Sequence, residues 1–139
     1  MLRNIHMRWT AYLALSRMAN TEATQLLVKK ARKLPLGDDL VYELLPDLAW
    51  VRQKAATDYL VKLLLLESTD CSSPDPDSSR KITCAYHIME LLVPTIQKSP
   101  LQLGTSGDIP TDSYPKARAQ ASEWFRKNGS NYQLVKNSW

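Results

Sequence analysis

Glycine is scarce in this chain, with four in 139 residues. Loop-rich and all-β chains lean on glycine for tight turns and left-handed backbone, so both are disfavoured. No apolar run has membrane length: the four successive leucines Leu63 to Leu66 fall far short of the ~20 residues that span a bilayer as a helix. The opening Met1-Leu2-Arg3-Asn4-Ile5-His6-Met7 has neither the apolar core nor the small-residue cleavage site of a secretory signal. It enters a helical pattern almost directly, as a fragment or a mature form would. A large charge of one sign is also lacking. Lys and Arg number 18 against 14 Asp and Glu, leaving +4, milder and less clustered than the excess of a dedicated nucleic-acid binder. With two cysteines and two histidines, His6 and His87, far apart in sequence, the spacing of a zinc site is missing too. Neither a metal nor a cofactor is expected.

What is present favours helix. Leucine, alanine, lysine and glutamine are plentiful, and apolar residues recur at three- and four-residue steps in six segments. The first helix is expected from about Arg3 to Ala19, with Ile5, Trp9, Tyr12 and Leu13 on one side and Ala11, Ala14, Leu15 and Met18 on a second. Asn20-Thr21-Glu22 supplies a turn and a cap. The second runs from about Glu22 to Leu34 on a stripe of Ala23, Leu27, Ala31 and Leu34, and Pro35 stops it. A short third helix begins at Gly37-Asp38-Asp39 and ends near Pro46. The fourth is expected from about Leu48 to Glu67, and the fifth, apolar nearly all round and kinked at Pro94, from about Ser79 to Lys98. The sixth spans about Ser113 to Asn128, with Tyr114, Ala117, Ala121, Trp124 and Phe125 as its stripe and Gly129 as its C-terminal signal. Long loops are expected at about 69–79 and 99–113, and a short extended tail at 130–139. The length suits one domain over 1–139.

A repeat test separates a bundle from a stacked array. Met7-Arg8-Trp9-Thr10-Ala11 is matched after 44 residues by Val51-Arg52-Gln53-Lys54-Ala55, a period inside the ~40–47 residues of HEAT and armadillo units. With Leu44-Leu45-Pro46-Asp47 before it and Leu60 after it, this segment resembles the second helix of a HEAT repeat, over about residues 5 to 66. The stretch Ile82 to Glu90, with Trp124-Phe125, is similar to uncharacterised HEAT-like proteins of Bacteroides-type bacteria. The resemblance implies an all-α fold, helices stacked as antiparallel pairs in a short right-handed superhelix. It also implies a ladder between repeats in which Asp47 and Arg52 would take part. Arg8 has no upstream aspartate to pair with, and a plain helical bundle is the alternative.

Four local features carry chemistry. Cys71 and Cys84 flank a loop between two helices expected to be antiparallel, so a disulfide is expected. Closing about 14 residues, it would add roughly 3 kcal/mol in the chain-entropy model. Two unpaired thiols are the alternative. A disulfide implies a periplasmic or secreted protein, free thiols a cytoplasmic one. Asp70, Asp75 and Asp77 make that loop acidic, but without an EF-hand pattern a solvated loop is the better reading than calcium binding. His87 and Glu90 lie three apart on one helix, yet no nucleophile or oxyanion motif accompanies them, so no catalytic residue is assigned. Lys29, Lys30, Arg32 and Lys33 form the only basic cluster; they complement the helix dipole or contact phosphate.

A non-enzymatic interaction or scaffold module for a protein or peptide partner is therefore expected, with exposed members of Trp9, Tyr12, Trp50, Tyr59 and Trp124 as anchors. Nucleic-acid binding through the Lys29 to Lys33 face is the alternative, although no aromatic residue interleaves with those cations along the sequence.

Overall fold

The structure is a computed structural model. It describes residues 2–66, 70–72, 77, 79–102, 104, 109, 113–129 and 131–135, and the side chains from residue 8 onward. The side chains of Ile5 and His6, together with Asp75 and most of the 69–79 loop, lie outside what is described.

Helix α1 (Leu2–Arg17) and helix α2 (Thr21–Arg32) form an antiparallel pair. Their turn runs through Ala19, at φ 70°, with the Asn20 N–H donating to the Leu15 carbonyl at 3.0 Å. That left-handed exit ends α1 by satisfying a late carbonyl. The Asn20 side chain then accepts from the Ala23 N–H at 2.9 Å, a side-chain N-cap. The hydroxyls of Ser16 and Thr24, both buried, meet at 2.5 Å and pair the two helices without leaving a buried polar atom unsatisfied. Ala23, Leu27 and Ala31 form the buried stripe of α2, as their spacing predicts; Leu34, beyond the helix, is exposed instead.

The next segment differs from the expectation of one helix ending at Pro46 and another starting at Leu48. A π-helical turn, Leu40–Leu44, leads straight into α3 (Leu45–Trp50), with Pro46 in the first turn of α3. Proline has no N–H for the carbonyl four residues back, so a wider turn before it and a helix start at it are both favourable. The chain breaks at Val51, Arg52 and Gln53, and α4 begins at Lys54 (Lys54–Leu64). Arg52 stands at φ 54°, and its guanidinium donates to the Ala49 carbonyl at 2.6 Å, so an arginine fills a position usually given to glycine. The two segments matched in sequence therefore differ in structure: Met7 to Ala11 lies within a continuous helix, whereas Val51 to Ala55 straddles a break.

Two short strands follow, the first in the expected loop and the second inside the span expected for the fifth helix. β1 (Cys71–Ser72) pairs antiparallel with β2 (Lys81–Ile82), and Cys71 and Cys84 join in a disulfide across the base of this ribbon. Helix α5 (Ala85–Leu92) is shorter than the predicted span. Pro94 tightens its end into a 3-10 turn, Val93–Thr95, where the Thr95 hydroxyl donates to the Leu92 carbonyl at 2.7 Å. Helix α6 (Tyr114–Asn128) is capped by the Ser113 side chain at one end and by Gly129, at φ 57°, at the other. The tail returns to the end of α5, with Leu134 bridging Ile96 and the Val135 N–H donating to the Thr95 carbonyl at 2.8 Å.

The molecule is thus mainly helical, with six α-helices and one two-stranded ribbon among the described residues. Helix α1 packs on α2 and α3, α2 on α4, α3 on α4 and α5, α4 on α5, and α5 on α6. The core between them is aliphatic: Leu27, Leu40, Leu45, Leu48, Leu60, Leu64, Ile88 and Leu92 are all essentially inaccessible. No described helix is long and apolar enough to cross a membrane.

Candidate functional site

A groove of about 380 Å³ runs between α1 and α2. Helix α1 supplies Arg8, Trp9 and Tyr12; helix α2 and its C-terminal cap supply Leu26, Leu27, Lys29, Lys30 and Lys33. The i, i+3 and i+4 spacings explain the alignment, since such residues share a helix face. Arg8 and the three lysines are exposed, whereas Trp9 and Tyr12 are half-buried and form the floor with the leucines. Trp9 is fixed in place: its indole N–H donates to the Asp47 carboxylate of α3 at 2.8 Å, and the Lys30 ammonium lies 5.8 Å from its ring centroid. None of the described residues lining the groove is acidic.

The basic cluster of α2 is divided by this arrangement. Lys29, Lys30 and Lys33 face the groove, while the Arg32 guanidinium lies 5.6 Å from the Tyr59 ring of α4. Aromatic side chains do interleave with the cations, but in space, because they arrive from α1. Trp9 and Tyr12 are among the candidate anchors of α1, but their meeting with the α2 cations depends on packing between the helices, which spacing along the sequence does not give. Arg8, considered for a repeat ladder, is a groove residue; Asp47 accepts from the Trp9 indole, and the Arg52 guanidinium donates to the Ala49 carbonyl. Burial first, and Arg17 second, hold the Arg52 guanidinium below its usual pKa.

The other aromatic candidates divide by exposure. Tyr59 is buried, and Trp124 packs edge-to-face on Phe125 at 5.0 Å. Trp50 is 42% exposed, and the Arg17 guanidinium covers its ring at 4.4 Å while donating to its carbonyl at 2.5 Å.

His87 and Glu90 do meet, with Nδ1 and Oε1 3.9 Å apart, and the Tyr42 ring lies 4.4 Å from the imidazole. Burial lowers the His87 pKa below its ordinary value, which favours the neutral ring at pH 7. The pair occupies a part-exposed surface position beside an aromatic ring.

The disulfide ribbon is tied to the α2–α3 connection by Asp38. Its carboxylate accepts from the Ser72 N–H at 2.8 Å and the Ser72 hydroxyl at 2.6 Å. The Ser72 hydroxyl, then the Ser72 amide and Lys81, hold its pKa below the usual carboxylate value. Asp39, Asp70 and Lys81 line the same shallow depression. Among the described residues no group of three His, Cys, Asp or Glu side chains is placed to hold a metal ion. No family model, no curated protein and no solved structure matches this chain.

Proposed function

We propose that this protein is a non-enzymatic interaction module that receives a protein or peptide partner in the α1–α2 groove. The single observation that carries this reading is the groove's composition. A floor of Trp9, Tyr12 and Leu27, with the 39%-exposed Leu26 beside it, is bordered by cations on both helices. An apolar floor contributes desolvation and a charged rim contributes selection, which is how protein recognition sites divide the work.

The packing order supports a HEAT-like arrangement for the scaffold. Helices α1, α3 and α5 touch in succession, α2 touches α4 beside them, and α1–α2 and α3–α4 are paired. Two rows of helices in paired layers form a right-handed superhelix in such arrays, and curved surfaces of this kind commonly serve binding. The Cys71–Cys84 disulfide supports an extracytoplasmic setting, periplasmic or secreted, where such bonds persist.

The test is a random-peptide display selection with the full chain as bait. Enriched peptides should bind saturably and lose affinity by about tenfold on Leu26→Glu, the cost of placing a charge in an apolar contact, with the melting temperature kept. No enrichment, or enrichment indifferent to Leu26→Glu, counts against the groove as the site. A second reading, nucleic-acid binding, is favoured by one observation: Trp9 and Tyr12 stand among the cations as stacking platforms would. It requires salt-sensitive retention on DNA that disappears when Lys29, Lys30 and Lys33 are reversed.

A further inference from the structure

We infer that the α1–α2 groove takes a short acidic peptide segment carrying one apolar anchor residue, an assignment that rests on the interaction-module reading. Charge complementarity selects this occupant. Arg8, Lys29, Lys30 and Lys33 border the groove, and none of the described lining residues offers a negative charge. Asp47, the carboxylate bonded at the Trp9 edge, is engaged with the indole N–H and orients that ring. A basic partner would meet uncompensated like charges on both helices, which costs affinity directly.

Dimensions decide between a peptide and a nucleic acid. From Leu26 to Lys33 the groove follows α2 for about 10 Å at 1.5 Å per residue. An extended peptide advances about 3.3 Å per residue, so about three residues fit. Single-stranded nucleic-acid sites occupy about 4–16 nucleotides and need a backbone track longer than this. The volume, about 380 Å³, lies at the small end of ligand-sized clefts. It suits one apolar side chain resting on Trp9, Tyr12 and Leu26, with carboxylates before and after it reaching Lys29 and Lys33. The lysines are exposed, so the carboxylate contacts contribute chiefly steering and selectivity, and the anchor contributes the residence time.

The experiment uses the full chain and a fluorescein-labelled peptide with a leucine flanked on each side by four glutamates, read by fluorescence anisotropy. Three comparison probes are a serine-flanked version, a version with serine in place of the leucine, and a fifteen-residue oligothymidylate. The acidic leucine peptide should bind saturably and more tightly than all three. Lys29→Glu with Lys33→Glu should weaken it by about tenfold or more while the thermal melt stays in place. About 0.5 M salt, where the Debye length is only ~4 Å, should do the same. Equal binding of the serine-flanked peptide, tighter binding of the oligothymidylate, or indifference to the double reversal would overturn the assignment. A display selection that enriches uncharged sequences sensitive to Leu26→Glu would also overturn it while leaving the interaction-module reading standing.

Discussion

Trp9 and Asp47 are 38 residues apart in sequence and joined by one hydrogen bond, the indole N–H donating to the carboxylate at 2.8 Å. The bond links α1 to α3 and sets the angle at which the Trp9 ring enters the groove.

Asp47→Asn keeps an acceptor oxygen and should stay near the native stability. Asp47→Ala removes it and leaves the indole N–H without its acceptor, at a cost of about 1–2 kcal/mol for a half-buried charge-assisted bond. Urea unfolding of the two variants checks the difference; equal midpoints would show that the bond contributes nothing.

The Cys71 and Cys84 side chains are 3% and 1% exposed. The folded protein should resist mild reductant, and thiol labelling should appear only when denaturant and reductant are added together. Replacing both by serine should lower stability by about 2–4 kcal/mol, the usual range for a bond closing a loop of this size. Intact mass before and after alkylation under native and denaturing conditions measures the first, and calorimetry the second. Labelling of both thiols in denaturant without reductant would remove the disulfide and with it the argument for an oxidising compartment.

Arg32 and its neighbours should behave differently. Arg32 lies over Tyr59 and away from the groove, so Arg32→Ala should leave elution from a heparin column nearly unchanged. The Lys29→Glu, Lys33→Glu pair should elute markedly earlier. If Arg32→Ala shifts elution as much as that pair, the cations act as one diffuse surface and the division between them has no functional meaning.

The neutral His87 gives stability a pH dependence of known sign. Its pKa is lower in the folded chain than the ordinary value of 6.5, so below pH 6.5 the unfolded chain binds more protons. Its contribution is complete above 6.5 and is lost as the pH falls through the folded value. His87→Phe keeps a ring against Tyr42 but has no proton to take up. Between pH 7.5 and 5.0 the urea midpoint of the native chain should therefore fall further than that of the variant. Parallel losses would assign the slope to carboxylates alone.

The tail is held by Tyr132. Its hydroxyl donates to the Asp58 carboxylate, and the Lys54 ammonium lies 3.8 Å from its ring and donates to its carbonyl at 3.1 Å. Burial first, and Asp58 second, keep the phenol far above its usual pKa. Tyr132→Phe should cost about 1–2 kcal/mol by leaving Asp58 without this donor. Faster proteolysis in the tail segment, read by mass spectrometry, is the companion observation.

The helices were legible where apolar spacing was unambiguous. Asn20 as a cap, the Ala23–Leu27–Ala31 stripe and the limits of α6 at Ser113 and Gly129 all follow from residue type and period. The α3–α4 break was not, because the left-handed position is filled by Arg52, whose own side chain caps the helix it ends. Pro46 looked like a stop but stands in a first turn, where the same missing N–H does no harm. The ribbon escaped notice because strands of two residues have no period to detect. At the candidate site the cations and the anchors Trp9 and Tyr12 were each visible, but their meeting in one groove was not. Periodicity tells which residues of α1 share a face, but only packing tells which face α2 leaves open.

The ribbon's cross-link also governs what a protease leaves behind. Any single peptide bond cut between Cys71 and Cys84 would yield two fragments that still travel as one molecule until a thiol is added. The α1–α2 and α5–α6 ends would stay tethered after nicking, so a clipped sample run without reductant would be indistinguishable by size from an intact one.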